Sequence, residues 1–210
     1  MDAADVEIIA RVNAYSGYFR IDKYRLRHPL FDGGTSPEIR REVFDRGHAV
    51  AVILYDPARD EVILIDQFRI GALAAGHPPW VTEIVAGIID HGEAPIDVAR
   101  RETMEETGCS VADLTLIYDY VVSPGCSNET VKLFCGRVDA TNAAGVFGLK
   151  DEGEDIRVRA VPLDEALQAL AAGKFNTSLG IIGLQWLALN RDQLRARWKA
   201  APPLGQRAKP

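Results

Sequence analysis

Cysteine and histidine are scarce in this chain, and neither residue type shows the spacing of a metal site. The three cysteines, Cys109, Cys126 and Cys135, form no C-x-x-C pair. An odd number of irregularly spaced cysteines argues against a disulfide scaffold and is typical of a reducing cytosol. The four histidines are equally irregular, so we expect surface or hydrogen-bonding roles for them. Cysteine usage therefore predicts a cytoplasmic protein.

Long apolar runs are also absent. The longest uncharged run, residues 175–190, is too short for a membrane span and is rich in Asn, Thr, Ser and Gln. The first seven residues, M-D-A-A-D-V-E, are acidic and have no apolar core, so they do not resemble a signal peptide. We expect a soluble protein with no membrane partner.

Positive charge is in deficit, because 24 lysines and arginines face 30 acidic residues and leave a net charge of −6. A general nucleic-acid binder is usually basic, so we expect no nucleic-acid partner. An anionic substrate would have to be met by local arginines and metal ions, since the overall field of the protein repels it.

Residues 1–45 are predicted to form a small β unit. The segments 6–15, 18–26 and 39–44 are rich in β-branched and aromatic residues, and Ser16-Gly17 is a turn between the first two. A unit this short has little core of its own. It must therefore pack on the rest of the chain or on a second copy.

Residues 46–198 are predicted to form the main domain, and residues 199–210 a flexible tail. Predicted strands cover 49–54, 62–67, 80–86, 114–122, 130–138 and 156–161. Predicted loops cover 71–79 and 139–154, and predicted helices cover 95–107, 164–172 and a final stretch capped by Thr177 or Ser178. Strands, one helix, strands and then helices indicate an α+β protein.

The helix predicted at 95–107 carries three glutamates within little more than one turn. Pro95 suits the first helical position, and Gly108 suits the left-handed residue that ends a helix. Glu102 and Glu106 then share one face with Glu105 beside them, while Ile96, Ala99 and Thr103 form a stripe that can pack on a core. Clustered carboxylates without Cys or His suit hard ions such as Mg2+ or Mn2+. Taken alone, three glutamates would fit a solvated acidic face better.

The residues around this helix favour the metal site over the solvated face. Gly87, Glu93, Arg101, Glu102, Glu105, Glu106 and Gly108 fill the pattern G-x5-E-x7-R-E-x-x-E-E-x-G. This pattern resembles the Nudix box, the signature of hydrolases that split a nucleoside diphosphate linked to another group. Thr103 and Cys109 depart from it, since aliphatic residues are usual at both places.

Segments outside the box are similar to the bacterial ADP-ribose diphosphatase subgroup of this family. They are I-R-R-E-V-F-D-R-G-H-A, Q-F-R-I, S-P-G and D-E-G-E-D-I-R-V, and Pro124 lies fifteen residues after Cys109 as in that subgroup. The resemblance implies a mixed β-sheet in an α/β/α sandwich. It also implies a homodimer whose N-terminal strands are exchanged between subunits, and hydrolysis of ADP-ribose to AMP and ribose 5-phosphate.

The resemblance also assigns roles to individual residues. It implies that Mg2+ or Mn2+ is held by Glu102, Glu106 and the carbonyl of Ala86, with Glu105 and Glu154 assisting. It makes Glu152 the general base, although the acidic loop 151–155 is equally well a solvated turn. The implied substrate-binding residues are Tyr18, Arg41, Glu42 and Arg69. Tyr18 fits adenine stacking and plain strand packing about equally, and Glu93 and Arg101 are expected to form a structural ion pair.

Two other functions compete with ADP-ribose hydrolysis. A related nucleotide-sugar diphosphatase, such as one acting on GDP-mannose, would use the same glutamates and differ in base recognition. A non-catalytic module that binds nucleotide sugars would typically have lost box glutamates, and all of them are present here.

Overall fold

The structure is a computed structural model that describes residues 1–199, and it divides into two compact units. The N-terminal unit comprises residues 1–48 together with 120–131. The core unit comprises residues 49–119 and the described chain from residue 132 onward. The inclusion of residues 120–131 in the N-terminal unit has no counterpart in the sequence pattern. The predicted tail, residues 199–210, lies outside the described residues, except for the backbone of Lys199.

The N-terminal unit is built on a three-stranded antiparallel sheet. Its strands are β1 (Glu7–Ser16), β2 (Arg20–Arg27) and β3 (Ile39–Asp45), paired in that order, close to the predicted strands. The turn after β1 is closed by a hydrogen bond of 2.9 Å from the Gly17 N–H to the Phe19 carbonyl. Val131 is the one apolar side chain of this unit that is buried. The unit therefore has almost no hydrophobic core within a single chain.

The core unit carries an eight-stranded sheet among the described residues. Its strands are β4 (Ala49–Asp56), β5 (Glu61–Phe68), β6 (Trp80–Glu83), β7 (Val85–Ile88), β8 (Asp113–Val121), β9 (Thr130–Arg137), β10 (Ala144–Phe147) and β11 (Ile156–Pro162). The main path through it is β10-β11-β5-β4-β9-β8, with β6 paired to β5 and β7 paired to β4.

Helices pack on both faces of this sheet. The described helices are α1 (Ile70–Ala74), α2 (Pro95–Thr107), α3 (Leu163–Ala171) and α4 (Ser178–Lys199), and α2, α3 and α4 contact the strands of the sheet. Every residue of β4 is buried, and successive side chains alternate between the two faces. Val50 and Val52 pack with Val98 of α2, whereas Ile53 lies against Gly183 of α4. The predicted α+β class, with a mixed sheet in an α/β/α sandwich, is confirmed.

Three stretches differ from the sequence prediction. Residues 80–86 were expected to form one strand, but the chain breaks at Ile84 and pairs first with β5 and then with β4. Residues 71–79, expected to be a loop, begin inside the short helix α1. Residues 139–154, which lack periodicity, contain β10 and a 3-10 turn at Lys150–Glu152. Such short elements depend on pairing with distant segments, which periodicity does not report.

The helices otherwise follow their local signals. α2 has the predicted bounds, and α3 begins one residue before the predicted start. Thr177 does not cap α4 with its side chain, because its Oγ1 is buried without a hydrogen-bond partner among the described residues. Its carbonyl instead accepts the N–H of Ile181. In residues 1–199 we find no helix with the length and hydrophobicity needed to span a membrane.

Candidate active site

The helix α2 presents the glutamates because both of its ends are locally defined. Pro95 occupies its first turn, and Gly108 ends it in the left-handed conformation with φ of 68°. Val98, Ala99 and Thr103 are buried against the sheet. Ile96 was expected in this buried stripe, but it is 43% exposed, because Val98 fills the place nearest to the core.

Glu106 is the most deeply buried carboxylate of the cluster, with 3% of its surface exposed. Its Oε2 accepts the N–H of Ala86 in β7 at 3.3 Å. Burial, followed by repulsion from Glu102 and Glu154, raises the pKa of Glu106 to about 9, against the opposing effects of the Ala86 N–H and Arg69. The carboxylate is therefore costly to ionise without a cation.

Glu102 lies beside Gly87, and the close approach requires a glycine there. A Cβ on Gly87 would come within 2.0 Å of Glu102 Cδ. Burial raises the pKa of Glu102 to about 7, since repulsion by Glu105 and Glu154 adds to it while Arg101 opposes it. The missing side chain at Gly87 thus makes room for the second carboxylate next to the first.

Arg101 connects the acidic residues of the box. Its guanidinium lies 3.5 Å from Glu93, which is the ion pair expected from the sequence. It also lies 2.9 Å from Glu102 and 2.9 Å from Glu105. Glu93 in turn accepts the N–H of Asp90 at 3.0 Å. Arg101 therefore fixes the loop before α2 and partly neutralises two glutamates.

The acidic loop brings one of its two predicted residues into this network. Glu154 accepts the N–H of Leu149 at 2.9 Å, and its charge affects the pKa values of Glu102 and Glu106. Glu152 lies in the 3-10 turn, where it is exposed, and its side chain has no hydrogen bond or ion pair with residues 1–199. A group so free of partners can approach a solvent molecule or a substrate, and its catalytic role stays a prediction.

Arg69, which follows β5, supplies positive charge to the cluster. Its Nε lies 2.8 Å from Glu83 of β6, and its charge lowers the pKa of Glu106 against the effect of burial. Glu83 was not singled out from the sequence. Its signal in the sequence was an acidic residue in the middle of the strand predicted at 80–86, and in the structure its side chain is 13% exposed.

The other predicted substrate-binding residues belong to the N-terminal unit. Tyr18 is 86% exposed and contacts the ring of Phe19 edge-on, with 4.7 Å between ring centroids. Arg41 and Glu42 on β3 line an open cavity of about 550 Å³ over the three-stranded sheet. Glu42 pairs with Lys23 of β2 at 3.3 Å. The substrate contacts of these residues stay predictions.

The donor set around α2 suits a hard divalent cation. Among residues 1–199, no three acidic, histidine or cysteine side chains already converge as a finished metal site, and Arg101 holds two of the carboxylates. Glu102, Glu106 and Glu154 nevertheless repel one another, and two of them are poorly solvated. A cation would relieve that repulsion, and oxygen donors are the ligands that Mg2+ and Mn2+ prefer.

Comparison with known proteins decides the family. The NUDIX domain matches residues 45–179. The chain belongs to the Nudix family. The resemblance inferred from the box is thereby confirmed, and the protein is a Nudix hydrolase.

Three relatives each cover more than four fifths of the chain. The ADP-ribose pyrophosphatase of Escherichia coli (strain K12) is 47% identical over 194 residues, which are 92% of this chain and 93% of the relative. That of Haemophilus influenzae is 44% identical over 200 residues, 93% and 91% of the two chains. The GDP-mannose pyrophosphatase of Yersinia enterocolitica is 33% identical over 178 residues, 82% and 90% of the two chains.

The fold also has a counterpart among solved structures. The crystal structure of an ADP compounds hydrolase matches this Nudix hydrolase with a TM-score of 0.68 and 22% identity, covering 92% of this chain and 96% of that chain. At this identity the likeness shows the fold alone: the two proteins share the same α+β architecture.

Proposed function

We propose that this Nudix hydrolase splits the diphosphate of ADP-ribose with water, giving AMP and ribose 5-phosphate. The observation that carries the proposal is the intact glutamate cluster of α2, packed against β7. It occurs in a chain 47% identical to ADP-ribose pyrophosphatases over 92% of its length. A non-catalytic module would have no need for buried carboxylates that repel one another.

The diphosphate is the reason that a metal is needed. Its anionic oxygens repel nucleophiles, and the acidic chain adds to that repulsion. We assign Mg2+ or Mn2+ to Glu102, Glu106 and the Ala86 carbonyl, with Glu105 and Glu154 nearby. When bound, such an ion neutralises phosphate charge and lowers the pKa of a coordinated water.

The remaining steps belong to side chains of the protein. Glu152 accepts the proton of the attacking water, which suits an exposed carboxylate without a partner. Arg69 binds the diphosphate, oriented by its contact with Glu83. Tyr18, Arg41 and Glu42 bind the rest of the substrate. Water adds to one phosphorus while the bridging oxygen leaves with the other, so the reaction is a single displacement.

We also propose that the protein works as a homodimer in the cytoplasm. The N-terminal unit buries one apolar side chain, Val131, while Ile8, Val12 and Tyr15 of β1 are each at least half exposed. Strands with so little core need a second surface to pack against. A second copy of the chain supplies such a surface. The exchange of N-terminal strands between subunits would place the strands of one subunit on the other.

GDP-mannose is the second candidate substrate, because the Yersinia enterocolitica relative named for it is 33% identical over 82% of this chain. Both substrates contain the diphosphate, which Arg69 and the metal held by the glutamates would bind. They differ in the base and in the sugar.

A substrate panel tests the proposal. We expect kcat/KM for ADP-ribose to exceed the values for GDP-mannose, NADH, diadenosine polyphosphates and nucleoside triphosphates, with activity dependent on Mg2+ or Mn2+. AMP and ribose 5-phosphate should appear in equal amounts. A clear preference for GDP-mannose would refute the ADP-ribose assignment and leave the Nudix assignment standing.

A further inference from the structure

Gln67 is a buried polar residue with an unexplained hydrogen-bond donor. Its exposed fraction is 6%, and its Nε2 has no hydrogen-bond partner among residues 1–199. Buried amide donors in folded proteins are almost always paired, so a missing partner requires a reason. Gln67 is the first residue of the Q-F-R-I segment, and the sequence pattern alone assigns it no role.

The alternation of β5 places Gln67 on the face of the sheet that α2 covers. Ile63 and Ile65 of β5 belong to the same core cluster as Val98 of α2. Gln67 is two residues beyond Ile65 in the same strand and therefore shares that face. Its neighbour Asp66, on the opposite face, is paired with Arg159.

Along the strand, Gln67 lies between the apolar core and the acidic cluster. The next residue on its face is Arg69, whose backbone is still extended. Arg69 contacts Glu83 at 2.8 Å and interacts electrostatically with Glu106. Glu83 is the β6 partner of Ile65. The amide of Gln67 is therefore flanked by residues that reach the candidate active site.

The carboxylates of this region already accept other donors. Glu106 accepts from the Ala86 N–H, Glu154 from the Leu149 N–H, Glu83 from Arg69, and Glu105 from Arg101. None of them accepts the Nε2–H of Gln67, so within residues 1–199 this donor is free for a group that the chain does not supply. A carboxamide N–H donates to an anionic oxygen but cannot bind a cation through that nitrogen. It can therefore hold an anion without competing with the glutamates for metal.

We propose that Gln67 binds the substrate, with its Nε2–H donating to a phosphoryl oxygen of the diphosphate. The inference rests on the proposed function, because it takes the diphosphate as the substrate of this site. A neutral donor next to Arg69 offsets part of the repulsion between the diphosphate and the glutamates. The hydrogen bond forms when the substrate enters and satisfies the buried amide.

Gln67→Met tests the proposal, because methionine keeps the unbranched shape and removes the donor. We expect its melting temperature to equal or exceed that of the wild type, since an unpaired buried amide has been removed. The Kd for α,β-methylene ADP-ribose and for α,β-methylene ADP, measured by calorimetry with Mg2+, should rise by about tenfold. Gln168→Met on the exposed surface of α3 is the matched control, and its Kd values should not change.

Unchanged Kd values in a folded Gln67→Met would overturn the inference and leave Gln67 as a structural amide. If that variant does not fold, Gln67→Leu decides, since it also removes the donor and adds no charge. Its affinity for both analogues should fall by about tenfold, and normal affinity would overturn the inference. Wild-type hydrolysis of ADP-ribose is measured in parallel. If hydrolysis of ADP-ribose is absent while Gln67→Met still weakens α,β-methylene ADP binding, the ADP-ribose assignment fails. The contact between Gln67 and a diphosphate then still stands.

Discussion

At the scale of single residues, the carboxylates that we propose as metal ligands are costly to ionise in this fold. Glu106 is 3% exposed, and the Glu102 side chain is 14% exposed beside it. Burial, with repulsion between the carboxylates as a smaller cause, raises the pKa of Glu106 to about 9 and that of Glu102 to about 7. A solvated acidic helix face would show neither effect, so burial decides between the two interpretations of the sequence pattern.

Removing either charge should abolish most of the activity. Glu102→Gln and Glu106→Gln keep the side-chain shape, so we expect folded proteins whose kcat falls at least about 100-fold, or roughly 3 kcal/mol of transition-state stabilisation. Glu165→Gln, on the exposed surface of α3, is the control and should keep full activity. Steady-state kinetics with Mg2+ measures the difference. Wild-type turnover in both active-site variants would refute the metal assignment.

The two acidic-loop residues can be separated by the same substitution. Glu152→Gln should bind substrate with a KM near the wild-type value and lose about 100-fold or more in kcat, because proton transfer alone is removed. Asp151→Asn, in the same turn, should remain active. A fully active Glu152→Gln combined with an inactive Glu154→Gln would move the base to Glu154.

At the scale of secondary structure, the approach of α2 to β7 sets the position of the glutamates. The chain crosses from β5 to β4 at Ile84, and this crossing brings Ala86 to Glu106 and Gly87 to Glu102. The box pattern contains Gly87, but the break that positions it depends on pairing with two different strands. This part of the site could not be predicted from local sequence.

Gly87→Ala should damage catalysis more than stability. The new Cβ would lie 2.0 Å from Glu102 Cδ, and the flexible glutamate can move away at low cost to the fold. We expect kcat to fall at least about tenfold because a displaced ligand reduces transition-state stabilisation. Gly71→Ala is the matched control, since the added Cβ meets no atom of residues 1–199 within 4 Å apart from its own chain neighbours and helix backbone. Equal activity of the two variants would show that the position of Glu102 is unimportant.

The junction between the β4–β5 turn and α4 depends on Asp60. Its carboxylate accepts hydrogen bonds from Tyr55 at 2.6 Å and from Arg191 Nε at 3.0 Å. Burial acts to raise the pKa of Asp60, but these partners outweigh it and hold the pKa below its usual value. The carboxylate therefore stabilises the fold above the pKa of the unfolded chain, and this contribution is lost as the pH falls through the lower folded value.

Asp60→Asn should therefore destabilise the protein in a pH-dependent way. Asparagine tolerates the positive φ of 59° at this position, so the backbone is unaffected. We expect a loss of roughly 2 kcal/mol in the free energy of unfolding at pH 7, which shrinks below about pH 4. Asp164→Asn also removes a contact with Arg191 but from an exposed site, and should cost less than about 0.5 kcal/mol. Urea unfolding at several pH values measures both, and a loss that is constant with pH would contradict the ionic role.

At the scale of the whole molecule, the two units differ in how they bury apolar residues. The core unit has a fully buried central strand between helices. The N-terminal unit has a three-stranded sheet and exposes Val12, Tyr15 and Tyr18 by 60% or more. The sequence indicated that residues 1–45 lack a core, and the burial values agree with that reasoning. The proposed dimer follows from this exposure.

Light scattering tests the dimer. The wild type should have the mass of two chains, and Val12→Glu should shift it towards one chain because a charge cannot be buried unpaired in an apolar interface. Leu189→Glu, at an 86% exposed position on α4, is the matched control and should remain dimeric. A fully active wild-type monomer at assay concentration would rule out the dimer.

The sequence by itself determined the elements whose signals are local. α2 runs from Pro95 to Thr107 as predicted, because a proline and a left-handed glycine define its ends within the helix itself. The glutamate spacing on that helix then follows from its period. The box and its flanking segments were also enough to identify the Nudix family, which the match over residues 45–179 confirms.

The tertiary structure alone decided what depends on distant partners. It showed that residues 120–131 join the N-terminal unit, that Arg101 contacts Glu102 and Glu105 in addition to Glu93, and that the buried Gln67 Nε2 has no hydrogen-bond partner within residues 1–199. Strand pairing and burial couple residues far apart in the chain, and no local propensity encodes which segments meet. The glutamates, the Ala86 carbonyl and the arginines could therefore be named from the sequence, whereas their mutual contacts and the unpaired Gln67 amide depend on how β4, β5 and α2 come together.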